Sequence, residues 1–391
     1  MPDPLLTSRF DAPATILTGG GSRRQLGNLA QELRAKRVLL VTDVGIVELG
    51  IADEITGILT DAGCDVHRFV DVQPDPTDRN VAEGVLALRQ HEADFVVAVG
   101  GGSPIDTAKV IAVRQANEGP LSEYMGLHKI RQPGVPLIAV PTTAGTGSEA
   151  TKVAVITDTD RDVKMMMLSA PLLPRAAIVD YELSLSMPKG LTAAVGVDTL
   201  THGIEAYVSK KRNVMTNPLA LSCIKLVGEH LRTAWSDGED RIAREGMMLA
   251  ACQGGLAFSN SSVCLVHGMS RPIGAVFHLP HGLSNAILLP TVTAFSWESA
   301  TERYADVARA LGCASQITSD QDACRALPNY LQELNEFLEL PRLSQCKNVI
   351  QETFDQQVEK MASDAIASGS PANNPRVPSQ SEIVDLYRQA W

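Results

Sequence analysis

A carboxylate and an imidazole lie close together on a predicted helix in the C-terminal half of the chain. The segment "VGVDTLTHGIEAY" carries Asp198 and His202 four residues apart and Glu205 three residues later, so all three fall near one helix face. Their neighbours are Val, Leu, Ile and Ala, and burying such polar groups without a partner costs free energy. The pattern predicts either a salt bridge within the helix or a polar site that this face completes.

Three further histidines, His267, His278 and His281, occur in the apolar segment "CLVHGMSRPIGAVFHLPHGLSNAILLP". Together with Asp198 and His202, the first and the last of them make a set of one carboxylate and three imidazoles. That set suits Fe²⁺ or Zn²⁺ better than Mg²⁺ or Ca²⁺, which prefer oxygen ligands. Each histidine has a structural role as its alternative, and the spacing leaves that choice open.

A glycine-rich turn, "AVGGGSPIDTAKV", joins an apolar strand to a predicted helix. Ser103 is expected as the N-cap, Pro104 as the first helical residue and Asp106 as the third. The glycines allow a ligand to approach the backbone, and the N–H groups of the helix start favour a pyrophosphate. The alternative is a tight turn without a ligand, since neither G-x-G-x-x-G nor the P-loop motif is present.

A second loop rich in hydroxyl groups, "PTTAGTGSEAT", also follows a predicted strand. Thr142, Thr143, Thr146 and Ser148 are candidates for contacts with phosphate or ribose, and the alternative is a loop that satisfies only its own backbone. Asp43 ends another strand, "RVLLVTD". Its carboxylate suits ribose hydroxyls and repels a 2′-phosphate, but it equally suits the N-cap of the next helix.

Strand and helix patterns alternate through the first 187 residues, which predicts a doubly wound α/β domain. Strands are expected at 37–43, 65–72, 94–100 and 136–143, with helices at 45–62, 78–90 and 105–113. After residue 187 the apolar spacing of three and four predicts helices alone. We therefore expect an α/β domain over 1–187 and an all-helical domain over 188–391.

The composition limits which binding partners and which cellular compartment are expected. The 391 residues carry 34 basic and 45 acidic side chains, a net charge of -11, which disfavours nucleic acid and anionic lipid as partners. The N-terminal segment lacks the pattern of a signal peptide, and no apolar stretch has the roughly 20 residues of a membrane helix. The 7 cysteines are scattered without a C-x-x-C pair, as expected for reduced thiols in the cytoplasm.

Four motifs in this order make the chain resemble the iron-dependent (group III) alcohol dehydrogenases over essentially its whole length: "GGGSPIDTAK", "PTTAGTGSEAT", "GVDTLTHGIEAY" and "HGMSRPIGAVFHLPHGLSNAILLP". The resemblance implies a dinucleotide domain, a helical metal domain in a dehydroquinate synthase-like architecture, and an active site between them. It implies these metal ligands: Asp198, His202, His267 and His281. It implies these NAD(P) contacts: Gly101, Gly102, Ser103, Thr142, Thr143 and Lys164. Three further residues of the same two loops are candidates for the cofactor site: Asp106, Thr146 and Thr151. Asp43 stands where many members select NAD over NADP.

Three positions depart from the family's usual pattern. Asp75 in "QPDPT" stands where the family often has Asn, which puts one cofactor contact in question. Arg271 stands where many members carry another histidine, and Lys152 replaces a residue that is usually uncharged. If Lys152 and Arg271 face the substrate, they favour one with an anionic group. The alternative is that both face solvent or pair with acids.

The resulting hypothesis is a metal-dependent, NAD(H)-linked alcohol dehydrogenase or aldehyde reductase for small alcohols, with Fe²⁺ favoured and Zn²⁺ as the alternative. His278 is a candidate for relaying the proton to solvent, and Arg271 is a candidate for contacting the substrate. Two rival functions are a transhydrogenase that exchanges hydride between hydroxy and oxo acids, and a lyase related to dehydroquinate synthase. The lyase is less favoured because Lys and Arg residues for handling phosphate are sparse. The N-terminal strand "ATILTGG" suggests a homodimer.

Overall fold

The chain forms two compact units, Asp11–Ser186 and a second one made chiefly of Met187–Trp391. A computed structural model describes residues 7–161 and 163–391. The described part of the first unit contains the strands together with five α-helices, whereas the described part of Met187–Trp391 contains helices and no strand. The predicted fold class, an α/β N-terminal part followed by an all-α C-terminal part, is confirmed.

Most strands of the α/β unit are short and apolar. In chain order they are β1 (Thr15–Thr18), β2 (Arg37–Val41), β3 (Asp65–Phe69), β4 (Phe95–Gly100), β5 (Gly126–Leu127), β6 (Leu137–Pro141), β7 (Val153–Asp158), β8 (Val163–Leu168) and β9 (Ala176–Val179). Within the described residues, six of them form a parallel sheet in the order β1-β9-β6-β4-β2-β3, and β5, β8 and β7 form a smaller sheet. The predicted strands 37–43, 65–72, 94–100 and 136–143 are confirmed with slightly shorter bounds.

The order of the large sheet creates a switch point between β2 and β4. From β2 the chain moves outward to β3 and then returns to the other side of β2 as β4, continuing to β6 and β9. Open parallel sheets bind ligands at the carboxyl ends of the strands beside such a reversal. Asp43 is the second residue after the end of β2. Gly100, the last residue of β4, pairs in register with Pro141 of β6. The two predicted cofactor loops therefore begin at the same edge of the sheet.

Helices cover both faces of this sheet. Successive residues of a strand point to opposite sides, and because the central strands are apolar on both sides, both faces must be buried. The helices are α1 (Leu26–Glu32), α2 (Val44–Glu48), α3 (Ile51–Asp61), α4 (Asp78–Gln90) and α5 (Gly102–Arg114). Leu39 and Val41 of β2 pack in the core with α4 and α5, whereas Val38 and Leu40 pack in the core with α1 and α3. The single helix predicted over 45–62 is wrong, since the chain breaks at Gly50, whose φ of 73° lies in the left-handed region that glycine tolerates.

The helical unit is built from long, largely buried helices. They are α6 (Lys189–Val208), α7 (Thr216–Ser236), α8 (Arg241–Ser261), α9 (Leu265–Phe277), α10 (His281–Ser296), α11 (Thr301–Leu311), α12 (Asp320–Phe337), α13 (Gln351–Ala367) and α14 (Gln380–Gln389). In the part of the chain that the structure describes, no single helix has the length and apolar character needed to cross a membrane. The pair α8 and α9 meets those criteria by length and composition when taken together across a bend of 102°.

Candidate metal centre and dinucleotide loops

Asp198 is the central residue of a cluster of imidazoles in the helical unit. It lies in the middle of α6, where nearly every side chain is buried, and its own side chain is 3 % exposed. Its Oδ1 atom lies 3.9 Å from Nε2 of His202, one helical turn later, and 3.6 Å from Nε2 of His267. Nε2 of His281 also lies 3.9 Å from the same oxygen. One carboxylate oxygen therefore faces three ring nitrogens.

The histidines reach this oxygen from three helices. His202 lies on α6 itself, His267 is in the first turn of α9, and His281 is the first residue of α10. One ligand atom each from Asp198, His267 and His281 lies within 4.8 Å of the other two, an arrangement able to hold a metal ion. The ring of His202 stacks between His267 and Phe258, with centroid distances of 4.7 and 4.3 Å.

The protonation states of this cluster suit a cation. Burial, followed by the neighbouring His202 and His281, holds the pKa of His267 well below its usual value, so its ring is neutral. Burial acts against ionisation of Asp198, but the three imidazoles and an Asn285 hydrogen bond outweigh it and lower the pKa of that carboxyl. An ionised Asp198 and a neutral His267 ring are the forms in which these two groups coordinate a metal.

Two contacts of this cluster were missed as site features when the sequence was considered alone. Glu205 accepts a hydrogen bond from Nδ1 of His267 at 2.6 Å, and Asn285 donates to Oδ1 of Asp198 at 2.6 Å. Nδ2 of Asn285 also lies 3.2 Å from Nε2 of both His267 and His281. The signals were present, because Glu205 follows Asp198 by two helical turns and Asn285 follows His281 by one.

The residues present fit the divalent metal that the resemblance implies. The donor set is one carboxylate and three imidazoles, which borderline ions such as Fe²⁺ and Zn²⁺ prefer. Among the described residues, Nδ1 of His202 and Oδ1 of Asn285 are buried without a hydrogen-bond partner. Both residues turn their other polar atom, Nε2 of His202 and Nδ2 of Asn285, towards Asp198, so the fit rests on the donor set.

The two predicted catalytic residues are Arg271, one turn after His267 in α9, and His278, at the end of the same helix. His278 is exposed and ends α9 with a left-handed φ of 53°, so its backbone has a definite role in turning the chain. Arg271 lies within α9 and donates to Oγ of Ser370 at 3.1 Å. Burial lowers the pKa of Arg271 below its usual value. Their catalytic roles stay predictions.

The glycine loop of the α/β unit begins its helix earlier than predicted. α5 starts at Gly102 and Gly101 is its N-cap, so Ser103 lies inside the helix and its predicted capping role is wrong. Pro104 and Asp106 likewise stand two positions further into the helix than expected. The reason is geometric: Gly100 has a φ of 145°, which lets the chain turn sharply from β4 into α5 before the serine is reached.

The threonine loop packs directly over this helix start. A Cβ atom on Gly102 would lie 2.8 Å from Cγ2 of Thr146, and one on Gly101 would lie 3.4 Å from the Thr143 side chain. The backbone N–H of Thr142 donates to the Gly100 carbonyl at 2.9 Å. The two predicted cofactor loops are therefore brought together, and glycine is required at position 102 by the closeness of Thr146.

Below this contact a buried ionic network joins the same two loops. Nζ of Lys109 donates to Oγ of Ser148 at 2.7 Å and to Oγ1 of Thr151 at 3.0 Å, and Ser148 in turn donates to Asp106 at 2.6 Å. The other oxygen of Asp106 accepts from the Val155 N–H at 2.9 Å. Asp106 and Thr151 are thus held by contacts within the protein, and their contact with a cofactor stays a prediction.

Asp43 and Lys164, the remaining cofactor candidates, both have partners. Oδ1 of Asp43 accepts from the Ile46 N–H at 3.0 Å, so Asp43 does act as the N-cap of α2. A Cβ atom added to Gly100, at the switch point, would lie 3.4 Å from Oδ2 of Asp43. Nζ of Lys164 lies 2.5 Å from Oδ1 of Asp75, which stands in a left-handed backbone conformation with a φ of 54°.

Lys152, the other candidate for contacting a substrate anion, forms an ion pair. Its Nζ atom lies 2.6 Å from Oδ2 of Asp11, and its side chain is 10 % exposed. Of the two alternatives given by the sequence, pairing with an acid is the one observed.

Models of known protein families match nearly all of the chain. Residues 13–181 match "iron-containing alcohol dehydrogenase", and residues 192–391 match the C-terminal part of the same family. The chain belongs to the iron-containing alcohol dehydrogenase family. This membership confirms the family that the four motifs predicted.

Individual relatives cover the chain from end to end. It is 38% identical to a protein of Bacillus methanolicus named NAD-dependent methanol dehydrogenase, over 98% of this chain and 100% of the relative. It is 37% identical to a 1,3-propanediol dehydrogenase of Citrobacter freundii, over 94% of each. A crystal structure of 1,3-propanediol oxidoreductase superposes with a TM-score of 0.95 at 35% identity, covering 99% of this chain and 100% of the other. The predicted enzyme class, alcohol dehydrogenase/aldehyde reductase, is confirmed.

Proposed function

We propose that this family member is a metal-dependent, NAD(H)-linked alcohol dehydrogenase/aldehyde reductase for small alcohols, with Asp198, His202, His267 and His281 as its metal ligands. The observation that carries the proposal is the convergence of Oδ1 of Asp198 with ring nitrogens of His267 and His281 within 4.8 Å. Fe²⁺ is the metal we favour because of the family's name, and Zn²⁺ is the alternative that the same donors accept.

A divalent metal supplies Lewis acidity, which lowers the pKa of an alcohol and polarises the carbonyl of an aldehyde. Asp198 contributes the negative charge of the site, and the neutral ring of His267 contributes a lone pair. The side chain of His281 is 43 % exposed, whereas those of Asp198 and His267 are 3 % and 4 % exposed. We infer that a substrate oxygen enters on the side of His281.

NAD(H) is the proposed redox partner. The N–H groups of Gly102 and Ser103 at the start of α5 suit a pyrophosphate, and Thr142 and Thr143 lie on the adjoining loop. Asp43 supports NAD over NADP, because its carboxylate stands at the end of β2 beside the switch point, where it repels a 2′-phosphate. The cofactor stated in the name of the Bacillus relative agrees with this choice.

Small neutral alcohols are the proposed substrates. The charge of Lys152 is already compensated by Asp11 at 2.6 Å, so it offers little attraction to a substrate carboxylate. The named relatives act on methanol and 1,3-propanediol, both small and uncharged. His278 and Arg271 enter the proposal as candidates for proton relay and substrate contact.

We further propose a cytoplasmic homodimer with neither nucleic acid nor membrane as a partner. All seven cysteines are free thiols, as expected in a reducing compartment. β1 is an edge strand of the large sheet and is available for pairing with a second copy. Light scattering on the purified chain measures the oligomeric state directly.

The decisive experiment follows NADH oxidation on metal-stripped protein restored with Fe²⁺ or Zn²⁺, using short aldehydes, hydroxyketones and oxo acids. We expect turnover of small aldehydes with metal and none without it. Asp198→Ala should lose metal and turnover while NADH still binds, whereas Asp240→Ala, which removes a carboxylate from the start of α8, should keep both. Undiminished turnover by Asp198→Ala would contradict the proposal. Tightly bound nicotinamide that exchanges hydride only between hydroxy and oxo acids would favour the transhydrogenase.

A further inference from the structure

Glu205 is a buried carboxylate that accepts hydrogen bonds from three donors. Its Oε2 atom accepts from the backbone N–H of Cys264 at 2.8 Å and from Nδ1 of His267 at 2.6 Å. Its Oε1 atom accepts from the backbone N–H of Val266 at 2.6 Å. The residue is 2% exposed, so these three donors take the place of water around its carboxyl group.

We propose that Glu205 is a positioning residue of the metal centre, which fixes the tautomer and the orientation of His267 so that its Nε2 lone pair faces Asp198. This inference rests on the proposed metal function. A carboxylate only accepts hydrogen bonds, so the proton of the neutral His267 ring resides on Nδ1. Nε2, which lies 3.6 Å from Oδ1 of Asp198, is then the unprotonated nitrogen that a metal requires.

The same carboxylate also fixes the backbone on which His267 stands. Cys264, the N-cap of α9, makes no side-chain capping bond, and the first N–H groups of a helix lack partners within it. Glu205 supplies the missing acceptor from α6, at the positive end of the α9 dipole. Ring and helix start are therefore held by one side chain, seven residues after the ligand Asp198.

A purely structural role for Glu205 makes a different prediction for the isosteric variant Glu205→Gln. The amide has one acceptor oxygen, so its NH₂ group must take the place of Oε1 or Oε2. At Oε1 it opposes the Val266 N–H, and His267 keeps only the weaker hydrogen bond to a neutral amide oxygen. At Oε2 it opposes the Cys264 N–H and donates to Nδ1 of His267, which moves the ring proton to Nε2 and blocks ligation. If Glu205 only caps α9, either arrangement lowers stability. Metal affinity should then change no more than it does when another helix cap is removed.

The test measures Zn²⁺ binding to the metal-stripped full chain by calorimetry, with thermal unfolding recorded in parallel. The matched control is Asp240→Ala, because Asp240 caps α8 through the Ala243 N–H at 2.8 Å and is not among the ligand residues. We expect both variants to lower Tm. Glu205→Gln should weaken Zn²⁺ binding by about 10- to 100-fold, as second-sphere substitutions do, and Asp240→Ala should leave it within about twofold.

Zn²⁺ affinity of Glu205→Gln equal to that of the unsubstituted chain overturns the inference. Failure of the unsubstituted chain to bind Zn²⁺ or Fe²⁺ overturns the proposed metal function instead. Should Glu205→Gln not fold, ¹⁵N spectra of the histidine-labelled unsubstituted chain decide the matter, with the His267 signals assigned by their loss in His267→Ala. A proton on Nδ1 of His267 supports the inference, and a proton on Nε2 overturns it.

Discussion

Lys109 donates from its fully buried ammonium to the hydroxyl of Ser148 at 2.7 Å, and this bond joins the glycine loop to the threonine loop. The ammonium also donates to Thr151 and to the Val153 carbonyl, and it lies 3.7 Å from Asp106. A buried cation and a buried carboxylate thus lie beneath the proposed pyrophosphate site.

Lys109→Met should reduce the free energy of unfolding by about 3–5 kcal/mol, because it leaves Asp106 without its cation and removes the donor to the oxygen atoms of Ser148, Thr151 and Val153. Chemical denaturation of the full chain, followed by circular dichroism, measures the change. Lys36→Met removes an exposed lysine of the same unit and serves as the control. The double variant Lys109→Met/Asp106→Asn should recover part of the loss, since position 106 then carries no charge. Equal stability of Lys109→Met and Lys36→Met would contradict the buried pair.

The same lysine should make stability depend on pH in the alkaline range. Burial is the largest influence on Lys109 and lowers its pKa from 10.5 to about 8. Between pH 8 and 10.5 the unfolded chain then binds one proton more than the folded chain, so this group's contribution to stability rises with pH there and is flat below pH 8. The slope should reach about 1.4 kcal/mol per pH unit and be absent from Lys109→Met. If the free energy of unfolding depends on pH in the same way for both proteins, the lowered pKa of Lys109 is refuted.

Gly102→Ala should weaken NADH binding, because the added methyl group would lie 2.8 Å from Cγ2 of Thr146 and force the two loops apart. Thr146→Ser removes that Cγ2 atom and keeps the hydroxyl that accepts from the Ser148 N–H at 3.2 Å. Fluorescence titration with NADH should therefore show recovery in the double variant Gly102→Ala/Thr146→Ser. Persistent loss in the double variant would show that the methyl group obstructs the cofactor itself.

Asp75→Asn should shift the cofactor preference towards NADPH, because it frees Lys164 from the ion pair at 2.5 Å. An exposed pair of this kind contributes up to about 1 kcal/mol, so the ratio of NADPH to NADH affinity should rise by up to about fivefold. Asp53→Asn is a closely matched control, since Asp53 pairs with Arg68 at 2.5 Å and with similar exposure. The same shift in both variants would mean that net charge alone is responsible.

Local sequence signals predicted that Asp198 and His202 lie close together, and they predicted the helix boundaries less well. Asp198 and His202 were placed together by their spacing within one helix, which short-range geometry fixes. Ser103 was misplaced as an N-cap because the start of α5 depends on the φ of Gly100 and on Thr146 packing over Gly102. Neither influence is visible in the local residue pattern.

Sequence by itself determined the alternation of apolar strands and helices, the family, and the types of residue proposed to hold a metal and a dinucleotide. Periodicity and residue chemistry are local properties, so they can be recognised from residues that are neighbours along the chain. Tertiary structure decided which partner each polar group found: Glu205 with His267, Lys109 with Ser148, Asp75 with Lys164 and Lys152 with Asp11. These pairs are separated by 39 to 141 residues, so they depend on how whole elements pack, because buried charges and donors must be satisfied by whatever the fold brings near.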